Sequence, residues 1–178
     1  VGGVAVLAGE STGVALFVVA GRGEIQIAVG AGANAAVPVD HIRQCLRSLL
    51  PSAGCVLVST EIPAAAIAAA VDEAFTARVR CILNPAPVLP VVAELLHRGP
   101  ILTPNGSELR DLAALVGEAI GSATADAHRL AAMTHHPVVV TQGAAGVPVV
   151  TADGGVQLVP PPAGGVRART GAGDTLKG

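Results

Sequence analysis

The sequence predicts an α/β fold of three layers, in which a mostly parallel β-sheet lies between two layers of helices. Short apolar runs typical of buried strands alternate along the chain with longer Ala-rich or amphipathic segments typical of helices. Such alternation indicates successive βα units, which place parallel strands side by side and cover both faces of their sheet. With 178 residues, of which 51% are hydrophobic, the chain can bury a sizeable core as one domain.

A β-hairpin is predicted first, over about residues 12–29. Residues 14–19 form a continuous apolar strand, and residues 20–23 supply two glycines for the turn. Residues 24–29 alternate apolar and polar side chains, as a half-exposed strand does. A Gly-rich loop then leads to a βα core, which we assign to residues 38–178 of the same domain.

Helices and strands alternate through this core. Pro38 and Pro63 are each expected at the first position of a helix, where the missing N–H of proline needs no partner. Helices are predicted over residues 38–50, 63–77, 91–97, 106–116 and 124–134. Short apolar runs predict strands over residues 55–59, 79–83, 101–102 and 138–141, and a second hairpin joins residues 147–151 to residues 156–159.

Polar residues follow the ends of four predicted strands. In chain order these residues are Glu61, Asn84, Asn105 and Thr141. Ligands of open parallel sheets bind at the carboxyl ends of the strands, which all lie along one edge. The four side chains are therefore predicted to share one site.

The segment Thr170-Gly171-Ala172-Gly173-Asp174 is the most informative motif. Its small residues let the backbone turn tightly and present consecutive N–H groups to an anion, and an acid follows where a helix should begin. Such a pocket suits phosphoryl transfer, with the carboxylate taking the proton of the attacking hydroxyl group. A Gly-rich turn with an acid at a helix start would explain the same residues, but within a βα array phosphoryl transfer is favoured.

Three further motifs each have a structural and a functional explanation. Asn105 and Glu108 fit a helix capping box, and they also suit the ordering of water and Mg²⁺ near phosphates. Glu61 is either a solvated loop acid or an acceptor for a sugar hydroxyl group. The third motif, a two-glycine turn that would also let a nucleotide approach the backbone, is Thr141-Gln142-Gly143-Ala144-Ala145-Gly146.

Composition excludes several classes of partner and site. The net charge of −2 and the sequence pI near 6.2 give no reason to expect nucleic acid or an anionic membrane as a partner. Every apolar run is too short to span a bilayer. Cys45, Cys55 and Cys81 are odd in number and lack C-x-x-C spacing, so we expect small buried thiols in a reducing compartment and a cytoplasmic location.

Taken in order, these motifs resemble the ribokinase branch of the PfkB carbohydrate kinases. The matching stretches are residues 9–16, 32–36, 61–63, 84–87 and 103–105 with Glu108, then Thr141 with Gly143 and Gly146, and residues 170–174. The resemblance implies a ribokinase-like fold in which the first hairpin contributes to a small lid. It implies ATP-dependent phosphorylation of the primary hydroxyl group of D-ribose, with small-molecule sugar and nucleotide as partners.

The resemblance also implies a role for individual residues. Asp174 corresponds to the catalytic base, which also contacts the sugar together with Glu61. The anion hole corresponds to Gly171, Ala172 and Gly173. The ATP site corresponds to Asn105, Thr141, Gln142, Gly143, Ala144, Ala145 and Gly146, with Gly173 and Asp174. Glu108 corresponds to an acid that holds Mg²⁺ through water. The resemblance also implies a homodimer in which the lids of two copies pair.

The chain departs from the family pattern in two respects. Ala168, between Arg167 and Arg169, stands where ribokinases usually carry an Asp that helps to bind a monovalent cation. With Thr170 left as a ligand, we expect the K⁺ site to be weak or absent. The family's N-terminal sugar-binding section and its C-terminal adenine-binding section have no counterpart, so the chain is expected to be an internal fragment. Two alternatives to a ribokinase stay open. One is a fructokinase-like or adenosine kinase-like enzyme, and the other is a catalytically incompetent fragment.

Overall fold

The computed structural model describes residues 3–19, 25–117 and 121–161 of the chain. Two sheets are present in these ranges, one of two strands and one of six. No helix of the described ranges is both long and apolar enough to cross a bilayer.

The first hairpin forms a separate two-stranded sheet. Strand β1 (Val14–Val19) pairs antiparallel with β2 (Ile25–Gly30), in a register that places Leu16 opposite Ala28. The hairpin predicted over residues 12–29 is therefore confirmed. After β2 the chain makes a short 3-10 turn rather than an open loop. Gly32 begins this turn with φ +52°, and a Cβ atom there would clash with the carbonyl oxygen of Ser11.

The second sheet is mostly parallel, as predicted. Its strands lie in chain order, namely β3 (Cys55–Ser59), β4 (Arg80–Asn84), β5 (Ile101–Leu102), β6 (Val138–Val139), β7 (Val147–Val150) and β8 (Val156–Val159). Strands β3 to β6 are parallel to one another. At the end of the sheet β7 pairs antiparallel with β6, and β8 pairs antiparallel with β7. The carboxyl ends of the four parallel strands therefore lie along one edge.

Five α-helices occupy the described ranges between and after these strands. They are α1 (Val39–Leu49), α2 (Ala64–Ala77), α3 (Pro90–Leu95), α4 (Gly106–Leu115) and α5 (Ala123–Thr134). The positions predicted for Pro38 and Pro63 were wrong by one residue. Both are N-cap residues, whose extended ψ angles of 134° and 142° keep them outside the helix, so the helices begin at Val39 and Ala64. Pro90 does take the first helical position.

The core lies between one face of the large sheet and a layer of helices. The strands contribute fully buried side chains such as Leu83, Leu102 and Val138, which pack against helical residues such as Ile67 and Leu130. Side chains alternate along β3, so that Val58 is buried in this core whereas Leu57 is 49% exposed. The described helices therefore cover the face that carries Val58.

The three cysteines differ in their environments, and the expectation that all of them are buried was wrong. All three are free thiols, but only Cys81 is buried, whereas Cys45 is partly exposed and Cys55 is exposed. Cys81 lies in β4 in register with Val56, and Cys55 points to the other face of the neighbouring strand. Burial raises the pKa of the Cys81 thiol to about 12, and the nearby Cys55 adds a smaller effect.

Candidate active site

The carboxyl edge of the sheet brings two predicted site residues together. Asn105 and Thr141 form an isolated parallel β-bridge, and the Thr141 N–H donates to the carbonyl oxygen of Pro104 at 2.9 Å. This bridge continues the pairing of β5 with β6 beyond the last residues of both strands. The predicted proximity of Asn105 and Thr141 is therefore confirmed.

The other two predicted residues lie at the same edge, where Asn84 is the last residue of β4 and Glu61 lies two residues beyond the end of β3. Ser59 pairs in register with Asn84, and the Thr60 hydroxyl donates to the carbonyl oxygens of Pro87 at 2.5 Å and of Asn84 at 3.4 Å. Thr60 is buried, so these bonds tie the end of β3 to the segment after β4. Glu61 comes next in the chain and is exposed. Its carboxylate is thus available to solvent or to a ligand.

Asn105 and Glu108 form the capping box that begins α4. The Oδ1 atom of Asn105 accepts from the N–H groups of Ser107 and Glu108, each at 2.9 Å, and from the Ser107 hydroxyl at 2.7 Å. In return the Glu108 carboxylate accepts from Asn105 N–H at 2.7 Å and from Asn105 Nδ2 at 2.6 Å. The structural explanation of this motif is confirmed. These two bonds hold the Glu108 carboxylate in one orientation.

Two buried polar atoms lack a hydrogen-bond partner at this edge. They are Oδ1 of Asn84 and Oγ1 of Thr103, in the part of the chain that the structure describes. The two residues are neighbours across β4 and β5, since the Thr103 N–H donates to the carbonyl oxygen of Leu83 at 3.1 Å. Buried polar atoms are costly unless a ligand or water satisfies them, so each of the two oxygens is able to accept a hydrogen bond from water or from a ligand. Thr103 was absent from the predicted site, although its place directly after β5 was a usable signal.

The loop after Thr141 needs its two glycines for different reasons. Gly143 has φ +56°, and a Cβ atom there would have no neighbouring atom within 4 Å in the described part of the chain. Gly146 has φ +93°, and a Cβ atom there would lie 2.7 Å from the carbonyl oxygen of Val159. The conformation of the chain itself therefore requires Gly146. The described residues leave open space over Gly143, where a ligand could approach the backbone. Of the remaining loop residues, Gln142 and Ala145 are exposed.

The remaining predicted site residues lie outside the described residues. These are Thr170, Gly171, Ala172, Gly173 and Asp174, together with the substituted cation position Ala168. Their roles as anion hole, base and cation ligand stay predictions.

The described edge suits Mg²⁺ bound through water and phosphate. No group of three or more His, Cys, Asp or Glu side chains that could hold a metal ion occurs in the described ranges. Mg²⁺ does not require such a group of side chains, because it usually binds one or two carboxylates and completes its shell with water and substrate phosphates. A single oriented carboxylate at Glu108, with amide and hydroxyl oxygens beside it, fits such an ion.

Comparison with known sequences relates the chain to one enzyme family. The family described as pfkB family carbohydrate kinase matches residues 2–178. The bifunctional ribokinase/ribose-5-phosphate isomerase A of Fructilactobacillus sanfranciscensis is 33% identical over 169 residues, covering 95% of this chain and 31% of that protein. The ribokinase of Schizosaccharomyces pombe is 30% identical over 177 residues, covering 95% of this chain and 54% of that protein. The chain thus spans about half the length of this ribokinase.

Solved structures show the same relationship and confirm the ribokinase-like fold. A ribokinase from Giardia lamblia superposes with a TM-score of 0.79 at 25% identity, covering 94% of this chain and 54% of that one. An Arabidopsis thaliana ribokinase complexed with ribose and ATP superposes with a TM-score of 0.73 at 26% identity, covering 95% of this chain and 55% of that one.

Proposed function

The chain belongs to the pfkB family of carbohydrate kinases, and from this membership we propose that the protein carrying it transfers a phosphoryl group from ATP to the primary hydroxyl group of D-ribose. The observation that carries the proposal is the carboxyl edge of the sheet. Asn84, Thr103, Asn105 and Thr141 all lie there, and Oδ1 of Asn84 and Oγ1 of Thr103 are buried without a hydrogen-bond partner among the described residues. The ribokinases among the relatives and solved structures support the choice of substrate.

The described residues supply the nucleotide side of the site. The backbone of Gly143 is open to a nucleotide, because no atom of the described residues lies within 4 Å of where a Cβ atom would be. Glu108 is held in one orientation by Asn105 and would hold Mg²⁺ through water, beside the phosphates of ATP. Mg²⁺ neutralises phosphate charge in this chemistry, which depends mostly on positioning and electrostatics.

The sugar side of the site combines Glu61 with the Gly-rich segment of residues 170–174. The exposed carboxylate of Glu61 accepts hydrogen bonds from sugar hydroxyl groups at the end of β3. Asp174 takes the proton from the attacking hydroxyl group, and the amides of Gly171, Ala172 and Gly173 stabilise negative charge on the transferring phosphate.

Since Ala168 offers no carboxylate, activation by K⁺ is weak or absent. Equal rates in K⁺ and Na⁺ would agree with this, and strong activation by K⁺ would contradict it.

The first hairpin forms part of a lid that also pairs with a second copy. Both of its faces are apolar and exposed, with Leu16 (64% exposed) on one face and Val29 (67% exposed) on the other. An isolated two-stranded sheet is marginally stable in water, so both faces need cover. Leu16→Lys should therefore shift the sedimentation coefficient from dimer towards monomer, whereas Gln44→Lys, an exposed change on α1 outside the hairpin, should not. A wild-type chain that sediments as a monomer at high concentration would contradict the pairing.

Substrate competition tests the proposed reaction. ATP-dependent ADP formation is measured for the protein carrying this chain with ribose, fructose and adenosine in turn, each with and without Mg²⁺. We expect the largest kcat/KM with ribose and no turnover after chelation of Mg²⁺. A preference for fructose or adenosine would show that the phosphoryl acceptor is that compound rather than ribose. The absence of phosphoryl transfer to any of the three would contradict the proposal.

A further inference from the structure

Two neighbouring strands of the large sheet end in polar side chains that share one face. Leu83 and Leu102 are paired in register and are fully buried on the face that the described helices cover. Because side chains alternate along a strand, the next residues, Asn84 and Thr103, direct their side chains towards the opposite face. The Thr103 N–H donates to the carbonyl oxygen of Leu83 at 3.1 Å, so the two strands are still paired at this point. Adjacent strands lie about 4.8 Å apart, and the two polar side chains are therefore neighbours.

Neither of these side chains has its hydrogen-bonding capacity filled. Oδ1 of Asn84 and Oγ1 of Thr103 are buried and have no hydrogen-bond partner among the described residues, so the two do not bond to each other. Thr103 is only 6% exposed. By contrast, the buried hydroxyl groups of Thr60 and Thr134 donate to carbonyl oxygens. The unpartnered pair therefore costs stability that a bound group would restore.

The chemistry of the pair favours a neutral hydroxyl group. Oδ1 of Asn84 can only accept a hydrogen bond, whereas the Thr103 hydroxyl group can donate as well as accept. An ionised phosphate oxygen has no proton to give to Oδ1, and a buried cation would need a charged partner that neither residue supplies. A hydroxyl group meets both requirements, because it donates to Asn84 while it accepts from Thr103.

We propose that Asn84 and Thr103 together bind one hydroxyl oxygen, which either an ordered water molecule or the acceptor sugar supplies. Asn84 is half-buried, and rotation of its amide about a soft terminal torsion admits the group. Strand β4 lies between β3, which leads to Glu61, and β5, which leads to Asn105. The pair is thus placed between the proposed sugar contact and the capping box that orients Glu108. A sugar as the source rests on the proposed function, whereas a water molecule does not.

Thermal unfolding and ribose binding of the protein carrying this chain distinguish the two sources. Thr103→Val keeps the shape of the side chain and removes its hydroxyl group. If water is bound, this change should lower Tm by about 2 °C in the absence of ribose and leave the Kd for ribose unchanged. If ribose supplies the hydroxyl group, Tm without ribose should not fall, and calorimetry should give a Kd about three- to tenfold weaker. Thr103→Ser keeps the hydroxyl group and should then retain the wild-type Kd.

Further variants separate this site from a general loss of packing. Asn84→Ala should change the same quantity, Tm or Kd, as Thr103→Val does. The double variant should lose no more than the larger single change, because both residues bind the same group. Thr134→Val is the matched control. Its hydroxyl group donates to the carbonyl oxygen of His136, so this change should lower Tm and leave the Kd for ribose unchanged.

Two results would overturn the proposal. One is a Thr103→Val variant that has both the Tm and the ribose Kd of the wild type. The other is full additivity of the effects of Asn84→Ala and Thr103→Val. A wild-type protein that binds no ribose would count against the proposed function alone. The Tm of Thr103→Val would then decide between a water molecule held by the pair, which lowers it, and no bound group, which leaves it unchanged.

Discussion

The side chains of Asn105 and Glu108 hold each other in place at the start of α4. Asn105 Nδ2 donates to one carboxylate oxygen of Glu108 at 2.6 Å, while the Asn105 backbone N–H donates to the other at 2.7 Å. One pair of residues thus caps a helix and orients the single carboxylate proposed to hold Mg²⁺. Stability and metal binding can be separated at this pair by substitution.

Substitutions of Asn105 should affect stability and metal binding differently. Asn105→Ala removes the cap and should lower the free energy of unfolding by about 1 kcal/mol in urea titrations. Asn105→Ser keeps a capping oxygen and should stay within about 0.5 kcal/mol of wild type. Both variants lose the Nδ2 bond to Glu108, so both should need more Mg²⁺ for half-maximal kinase activity. Arg110→Ala, an exposed change on α4, is the control. Equal stability of the Ala and Ser variants would show that the cap contributes nothing.

The two glycines of the loop after Thr141 should differ in their tolerance of a side chain. Gly146→Ala places a Cβ atom 2.7 Å from a backbone oxygen at a φ of +93°, and should lower the free energy of unfolding by about 2 kcal/mol or more. Gly143→Ala places its Cβ atom near no atom of the described ranges, so it should cost only the left-handed backbone penalty of about 1 kcal/mol. Urea denaturation compares the two variants. A larger loss for Gly143→Ala would contradict the loop geometry.

The buried thiol of Cys81 should make stability depend on alkaline pH. Its pKa is raised from 9.0 to about 12 in the folded chain, so the unfolded chain releases this proton first as pH rises. The unfolded state then binds fewer protons, and stability falls between about pH 9 and pH 12. From pH 8 to pH 10 we expect this group to lower the free energy of unfolding by about 1 kcal/mol.

A comparison of cysteine variants isolates that effect. Cys81→Ala should lose the contribution of this group to the pH dependence, whatever its own effect on stability at pH 8. Cys55→Ala, which removes an exposed thiol, should retain most of it because burial is the larger cause of the shift. Identical pH dependence in wild type and Cys81→Ala would refute the role of this thiol.

Much of the fold was predictable because it follows from local patterns. Apolar runs and glycine turns located both hairpins and the parallel strands, and their order placed Asn105 beside Thr141. Local patterns also indicated the capping box, since its residues are three positions apart. These features depend on neighbours in the chain or on the general topology of βα units.

Features that depend on tertiary contacts were not predictable. Thr60 bonds to a carbonyl group 27 positions later, and the chain between them carries no sign of that bond. The different burial of Cys55 and Cys81 depends on which face of the sheet the helices cover. The hydrogen bond between the His41 ring and the carbonyl oxygen of Gly3 joins residues that are 38 positions apart in the chain. Side-chain environments of this kind require the structure.

The most direct measurement of the central claim is the effect of Asp174→Asn on ribose-dependent ADP formation by the protein carrying this chain. Asn has nearly the shape of Asp but cannot take a proton, so loss of the base should lower kcat by about 10²- to 10⁴-fold. Binding of ATP, followed separately by calorimetry, should change little. A variant that phosphorylates ribose at the wild-type rate would contradict the account.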